Sequence, residues 1–314
     1  MRCWQHSTRR RGCMNNTPHY DIIGDVHGQL ATLEALLTRL GYRKGPQGWQ
    51  QPGHVAVFVG DIIDKGPWPG AVLRLVRQMV DAGHALMVVG NHELNWVRDA
   101  YHHQDDLSAF IHATRQHNDR QRLVDEFANE EDGLALLLDH FQWLRTQPLF
   151  LELEHCRVVH AWWHEASLQH LKAMGIRCLD DAAMAAYEDT YSTTYFAMDR
   201  VIAGCEHTVR PYVSASGFRT IRKRVRWWPN DVALIHPWEL LPTQAREHGY
   251  PHNAHPTFFG HYALTGTPLR LGRNVACLDY AAAYGGALVA YTHSPGTPLS
   301  LSGFKSVDVI HHQD

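Results

Sequence analysis

Aspartate, asparagine and histidine stand directly after short apolar runs throughout this sequence. Asp25 and His27 follow the run His19–Ile23, Asp61 and Asp64 follow Val55–Val59, and Asn91 and His92 follow Ala85–Val89. His160 follows Arg157–Val159, and His261 follows Thr257–Phe259. These donors are carboxylate, amide oxygen and imidazole, with no thiolate. Such a set suits Mn²⁺, Fe or Zn²⁺ in a hydrolytic centre better than a structural zinc. Asp25 and His27 are two apart in an extended segment, so they point to one side and can chelate one ion. A carboxylate such as Asp61 can bridge two ions, and two metals about 3.5–4 Å apart clamp a phosphoryl displacement.

The runs themselves read as buried strands, being short, rich in Val, Ile or Phe, and mostly ended by Gly. Helical patterns lie between the early ones. Leu30, Leu33, Leu36, Leu37 and Leu40 recur at helical spacing until Gly41, and Val72, Leu73, Val76, Met79 and Val80 do so between Pro69 and Gly83. This alternation is that of parallel strands joined by crossover helices. In open sheets of that kind, functional residues collect at the carboxyl ends of the strands. Residues 41–53 read as a loop or small hairpin. Residues 94–147 read as a polar helical insertion beside the sheet, which over a cleft would serve as a lid or substrate selector. Further on, the pattern gives one helix around 179–190, a strand-like piece Thr220–Trp228 and Pro-rich loops. At the end, Asn274–Tyr280 and Ala287–Tyr291 read as two strands joined by a short Gly-Gly connection.

Composition narrows the function classes. The 314 residues are 45% apolar and 19% charged, enough for a sizeable core. Twenty-nine Lys and Arg against 32 Asp and Glu leave a formal charge of −3, which argues against a coat for DNA or an anionic membrane. No run approaches the ~18 apolar residues of a membrane span. Six scattered cysteines without C-x-x-C read as reduced, cytosolic thiols. Twenty-four histidines are a surplus that favours imidazole ligation. Residues 1–16 are Arg-rich without an apolar segment and read as a disordered tail, with Met14 as an alternative start.

The ordered blocks GDVHG (24–28), GDIIDKGP (60–67), GNHE (90–93), VVH (158–160) and FGH (259–261) resemble the calcineurin-like metallophosphoesterases. Within them the likeness is to the branch of phosphoprotein phosphatases and bacterial symmetrical dinucleoside tetraphosphatases. A further block, LDYAAAYGGALVAY (278–291), resembles that branch's C-terminal hairpin. The resemblance implies an α/β fold of two mixed β-sheets packed as a central sandwich flanked by helices. A single domain would span 17–314, with a helical insertion at about 94–147. One metal would be held by Asp25, His27 and bridging Asp61, the second by Asp61, Asn91, His160 and His261. The expected ions are two divalent or trivalent cations, Mn²⁺ first, with Fe and Zn as alternatives.

The resemblance also implies that His92 donates a proton to the leaving oxygen while Asp64 fixes its imidazole. Lys65, where relatives carry Arg, and Asn91 would contact the substrate phosphate. A basic strand, RVRW here, would add a second phosphate contact through Arg224 and Arg226. Two further departures are Ala161-Trp162-Trp163 after His160, where relatives carry small residues, and Asp279-Tyr280-Ala281, where they read Asp-Thr-Gly. The implied activity is hydrolysis of a phosphate ester or phosphoanhydride through a metal-bridging water. The expected substrate is a phosphorylated small molecule or dinucleoside tetraphosphate, with Trp162, Trp163, Trp227 and Trp228 as flat faces for a base. A serine/threonine protein phosphatase acting on phosphoproteins is the alternative enzyme, and a metal-binding partner scaffold the non-enzymatic one. Neither nucleic acid nor membrane is expected as a partner, and the expected location is cytoplasmic.

Overall fold

Alternation of apolar side chains along the strands sets the layer order of the computed structural model. It describes residues 17–103, 109–110, 118–204, 206–213, 219–224, 226–228 and 250–311. In chain order the first elements are β1 (His19–Ile23), α1 (Leu30–Leu40), β2 (Arg43–Gly45), β3 (Gly48–Gln50) and β4 (His54–Phe58). Then come α2 (Pro69–Asp81), β5 (Ala85–Met87), α3 (Asn91–His102), α4 (Asn118–Ala128) and α5 (Gly133–Thr146). Next are β6 (Phe150–Glu152), β7 (Arg157–Val159), α6 (Glu165–Ala173), α7 (Asp181–Glu188) and α8 (Thr193–Ala203). Last are β8 (Glu206–Val213), β9 (Arg219–Arg224), β10 (Thr257–Phe259), β11 (Val275–Cys277), β12 (Asp279–Tyr280), β13 (Ala287–His293) and β14 (Phe304–Asp308).

The first sheet runs β12-β13-β1-β4-β5, with β14 also on β13; β1, β4 and β5 are parallel and β13 antiparallel to β1. The second runs β11-β10-β7-β6, parallel except for β6. Both sheets are therefore mixed. Ile22, Val57, Val59 and Val88 of the first sheet meet Val158, Phe258, Ala276 and Leu278 in a fully buried layer. Their neighbours Ile23, Phe58 and Met87, and Val159 and Phe259, turn the other way and pack with helical side chains. That period-two split is what a sheet buried on both faces requires. Helix α1 packs on β13 and β14, and α2 on β5. Helices α6, α7 and α8 lie beside the second sheet, where Ala161 N–H donates to the Val201 carbonyl at 3.0 Å.

The expected helical insertion is helical where described, with α3 and α4 both packed on α5. The 41–53 segment is the β2–β3 hairpin. The expected strand Asn274–Tyr280 is two strands. Leu278 bonds its N–H to Phe259 O at 2.7 Å, so β11 stays in the second sheet while β12 crosses to the first. Helices α6 and α8 fall where the sequence pattern gave none. Helix α6 is capped by His164, whose imidazole accepts from Ser167 N–H, an unusual start signal. Helix α8 opens with two threonines, whose weak helix propensity is overridden by burial of Ala197, Met198, Val201 and Ile202. Among the cysteines expected to be reduced, Cys156 and Cys277 are free and buried, but Cys178 is disulfide-bonded. Pairing depends on Cα approach in the fold, which scattered sequence positions do not reveal. The readings of residues 1–16 and of 229–249 lie outside the described residues. Among the described residues, no helix is long and apolar enough to cross a membrane.

Where the two sheets close on each other, Gly24 ends β1 and its N–H donates to Val289 O at 2.9 Å. A Cβ there would fall on the Leu278 carbonyl. Backbone occupies the space on both sides, so Gly24→Ala should lower stability by about 1–3 kcal/mol through overpacking. Urea unfolding of the two proteins measures this, and an unchanged midpoint would show that the junction yields freely.

Candidate metal centre

Asp61 follows β4 with 3% of its surface exposed and a left-handed backbone, φ 50°. Its N–H and that of Ile62 donate to the Glu93 carboxylate, at 2.8 and 2.9 Å. Glu93 also accepts from Gly90 N–H (2.9 Å), so one buried acid in the first turn of α3 joins the ends of β4 and β5. Burial first, and then the Asp61 charge, push Glu93 up to about 7. The Asp61 carbonyl accepts from Val26 (3.1 Å) and His27 (2.9 Å), which locks the β1 turn against the β4 turn. Seven of the eight non-glycine residues with positive φ among those described are His27, Asp61, Asp64, Lys65, His261, Ala263 and Ala281. Each such backbone costs roughly 1–3 kcal/mol, and strain of this kind gathers where surrounding bonds over-determine a site.

The two oxygens of Asp61 face different imidazoles. Oδ2 lies 3.6 Å from His27 Nε2 and 3.9 Å from His92 Nε2, and Oδ1 lies 3.4 Å from His160 Nε2. Ligand atoms of His27, Asp61 and His92 lie within 4.8 Å of one another, as do those of Asp61, His160 and His261. Asn91 Oδ1 sits 3.2 Å from His160 Nε2 and 2.9 Å from His261 Nδ1. Asp25 accepts from His261 N–H at Oδ2 (3.0 Å), while its buried Oδ1 has no partner among the described residues. A Cβ on Gly260 would fall on that oxygen. The structure thus gathers every sequence-derived ligand at one end of the two sheets, with His92 beside His27 and Asp61.

These residues fit a pair of cations. His27 Nδ1–H donates to Ile63 O (3.0 Å) and His160 Nδ1–H to Val59 O (2.8 Å), which turns each Nε2 inward. Burial, with His92 nearby, lowers His27 to about 4. Burial, with Arg224 and His160 nearby, also lowers His261 well below the usual range. Both imidazoles are therefore neutral and present lone pairs, and His261 Nε2 is buried without a partner among the described residues. Asp61 behaves oppositely. Burial would raise it, yet the neighbouring imidazoles His160 and His92 bring it well below the carboxylate range. Set 3.4–3.9 Å from three imidazole nitrogens, the Asp61 carboxylate stands where a shared cation ligand would fit.

His92 Nδ1–H donates to Asp64 Oδ2 (2.7 Å), and Trp96 Nε1–H donates to Asp64 Oδ1 (2.7 Å). Burial opposes the His92 imidazolium, but the charges of Asp61 and Asp64 and the Asp64 bond outweigh it and raise its pKa. Lys65 follows Asp64, half-buried, with a left-handed backbone of φ 64°. Arg224 donates to the His261 carbonyl, so its guanidinium stands at the edge of the centre. Arg226 differs: it is 5% exposed and packs over the Trp228 ring, 5.7 Å to its centroid. Trp163, Trp227 and Trp228 are also buried, so they are core side chains rather than open faces for a base. Trp227 and Trp228 lie against Phe259, with ring centroids 4.8 and 5.0 Å away. Their indoles fill the outer layer of the second sheet, as large aromatics usually do.

Sequence reasoning missed Glu93, Trp96 and Asp279. Glu93 was visible in GNHE, and Trp96 lies one helical turn after His92. Asp279 is buried and accepts from Ala263 N–H (2.5 Å) and Ala281 N–H (3.0 Å), holding the turn after His261; only folding brings it there.

Residues 19–209 match the family model described as calcineurin-like phosphoesterase. The asymmetrical bis(5'-nucleosyl)-tetraphosphatase PrpE of Oceanobacillus iheyensis is 48% identical over 73 residues, 23% of this chain and 29% of that protein. The chain thus spans under a third of the length of that relative. The symmetrical bis(5'-nucleosyl)-tetraphosphatase of Aromatoleum aromaticum is 25% identical over 283 residues, 85% of this chain and 91% of that protein. A serine/threonine phosphatase structure from Saccharomyces cerevisiae has a TM-score of 0.52 at 14% identity, covering 95% of this chain and 82% of that one. This last likeness is one of fold.

Asp61→Asn keeps the shape of the side chain and removes its charge. Mn²⁺ affinity, measured by equilibrium dialysis, should fall by at least about 10–100-fold. Retention of wild-type affinity would remove Asp61 from the shared position between the two sets.

Proposed function

The chain belongs to the calcineurin-like phosphoesterase family, and from that premise we propose that it hydrolyses dinucleoside tetraphosphates at a two-cation centre. One observation carries the chemistry: Asp61 faces His27 and His92 with one oxygen and His160 with the other. The tetraphosphatase relative aligned over 85% of the chain supports the substrate class. Asp25, His27 and Asp61 would hold one ion, and Asp61, Asn91, His160 and His261 the other. When bound, such ions acidify a water and neutralise charge developing on phosphoryl oxygens. Mn²⁺ is the ion we assign, because the oxygen and imidazole donors suit it.

The remaining steps belong to side chains. Lys65 and Asn91 bind the scissile phosphate, and Arg224 adds charge at the edge near His261. Asp64 fixes the His92 ring through Nδ1, leaving Nε2 to pass its proton to the departing oxygen. Burial opposes the imidazolium, but the Asp61 charge and the Asp64 bond raise the His92 pKa, which favours the protonated ring. Arg226, being buried over Trp228, is assigned to the support of that edge rather than to phosphate. A cytoplasmic location belongs to the same reading, and cell fractionation tests it.

The decisive assay offers Mn²⁺-loaded protein diadenosine tetraphosphate, a phosphopeptide, and simple mono- and diesters. Turnover of the tetraphosphate is expected, and the products tell the point of cleavage. Two diphosphates mark symmetrical attack; a triphosphate and a monophosphate mark asymmetrical attack. Turnover of the phosphopeptide with an intact tetraphosphate would replace this reading by a protein phosphatase.

Removing the proton donor should matter most where the leaving group needs a proton. His92→Ala should lower kcat about 10²–10⁴-fold on an alkyl phosphate and far less on nitrophenyl phosphate. Steady-state kinetics on both esters measure this, and equal losses would strip His92 of its acid role.

A further inference from the structure

Helix α4 meets the turn between β4 and α2 with two side chains four residues apart on one face. Arg122 Nη1 donates to the carbonyl oxygens of Lys65 (2.8 Å) and Gly66 (3.3 Å). The Glu126 carboxylate accepts from the N–H groups of Gly70 and Ala71, both at 2.9 Å. Those N–H groups open helix α2, whose N-cap residue, Trp68, supplies no side-chain bond to them. Glu126 caps α2 from another helix, and its negative charge suits the positive end of that helix.

Arg122 holds the opposite end of the same turn. There Asp64 and Lys65 are consecutive left-handed residues, φ 65° and 64°. The Gly66 N–H donates inward to the His27 carbonyl at 2.9 Å, while Arg122 holds the carbonyl on the outer side. A third connection runs through Arg120, which lies over the Trp96 ring (4.3 Å to its centroid) and pairs with Asp99. Trp96 in turn donates to Asp64. Helix α4 is itself anchored by buried Leu123, Val124 and Phe127, with Arg74 of α2 over the Phe127 ring at 4.1 Å. Arg122 is exposed and lies off that buried face, so packing of α4 does not account for its contacts to the turn.

Resting on the reading of Lys65 as the phosphate-gripping residue, we propose that α4 braces this grip, with Arg122 and Glu126 as positioning residues. Two consecutive left-handed residues relax to ordinary basins unless their carbonyls and the following helix are held. The Asp64 carbonyl accepts from Gly66 N–H at 2.8 Å, Arg122 holds the Lys65 and Gly66 carbonyls, and Glu126 holds the helix. Loss of the brace would then swing the Lys65 side chain from its aim while leaving the ligand turns at Asp25, Asp61 and Asn91 intact. The effect falls on substrate affinity rather than on bond breaking.

The test uses the full-length Mn²⁺-loaded protein, nitrophenyl phosphate as substrate and inorganic phosphate as inhibitor. Lys65→Ala, Arg122→Ala, Arg122→Lys, Glu126→Gln and Lys65→Ala/Arg122→Ala are compared, with amide exchange over residues 64–71 as an independent readout. Arg122→Ala should raise KM and the phosphate inhibition constant by about five- to tenfold with kcat within about twofold. Arg122→Lys should recover part of the loss, and Glu126→Gln should show a smaller rise of the same kind. Added to Lys65→Ala, Arg122→Ala should cost less than about twofold more, because both act through one side chain. Exchange at Gly66, Gly70 and Ala71 should quicken without a general rise elsewhere. An equal KM penalty in both backgrounds overturns the brace, and so does a loss confined to kcat. Lys65→Ala with raised KM beside an unaffected Arg122→Ala overturns the brace alone. Lys65→Ala with unchanged KM and unchanged phosphate inhibition overturns the Lys65 reading and the brace with it. Should Arg122→Ala fail to fold, Arg122→Lys and Glu126→Gln decide by the same KM-against-kcat comparison.

Discussion

Five carboxylates, Asp25, Asp61, Asp64, Glu93 and Asp279, are buried at one end of two packed sheets, and the rest of the structure answers that concentration of negative charge. A buried carboxylate is costly unless it is paired or hydrogen-bonded. Each is answered differently. Glu93 takes three backbone N–H groups. Asp64 takes an imidazole and an indole, and Asp279 takes two backbone N–H groups. Asp61 and Asp25 each take a single backbone N–H, from His92 and His261, and their remaining capacity faces imidazoles or nothing described, a configuration that cations would complete. Three acids therefore build a scaffold around the two that we propose as ligands.

The left-handed residues at His27, Asp61, Asp64, Lys65 and His261 are the geometric counterpart of this arrangement. A strand that ends and reverses at once lets its last side chain stand over the sheet edge. The backbone bonds between the β1 and β4 turns, and from Glu93 to both β4 and β5, fix these reversals together. None of these turns can relax alone. This explains why the helical insertion, remote in sequence from Asp64 and Lys65, reaches their turn with charged side chains rather than with apolar ones: backbone carbonyls and N–H groups need polar partners.

Much of this was legible in the residues. Short apolar runs, mostly ended by Gly, gave β1, β4, β5, β7 and β10, and the donors after them gave the candidate ligand set. The two-sheet architecture came with the resemblance of the ordered blocks, since alternation alone described only parallel strands and crossover helices. Less legible were features fixed by tertiary contact. Leu278 breaks one apolar run into two strands of different sheets, because its N–H is claimed by Phe259. Helix α6 begins at an imidazole cap, and α8 begins with β-branched residues. Three of the four tryptophans that were flat faces in sequence, Trp163, Trp227 and Trp228, are core in the fold, while Trp162 is half-buried, for an aromatic's exposure is decided by which layer covers it. Arg226 is covered in the same way and lies over the Trp228 ring, which its place in a basic run does not reveal. Glu126, which caps a helix it does not belong to, has no local signature at all.

The two sheets contribute separately to the centre. Asp25, His27, Asp61 and Asn91 come from strand ends of the first, whereas His160 and His261 come from the second. A cation seated among Asp61, Asn91, His160 and His261 is therefore a cross-link between two layers that otherwise meet through an apolar interface. By mass action, an ion at a hundredfold excess over its dissociation constant adds about 2.7 kcal/mol to the folded state. Ion affinity and sheet cohesion thus draw on a single free energy. On the proposed assignment, a chelator would act on this chain as a denaturant in kind, and a substitution that loosens the interface between the layers would also loosen the ion.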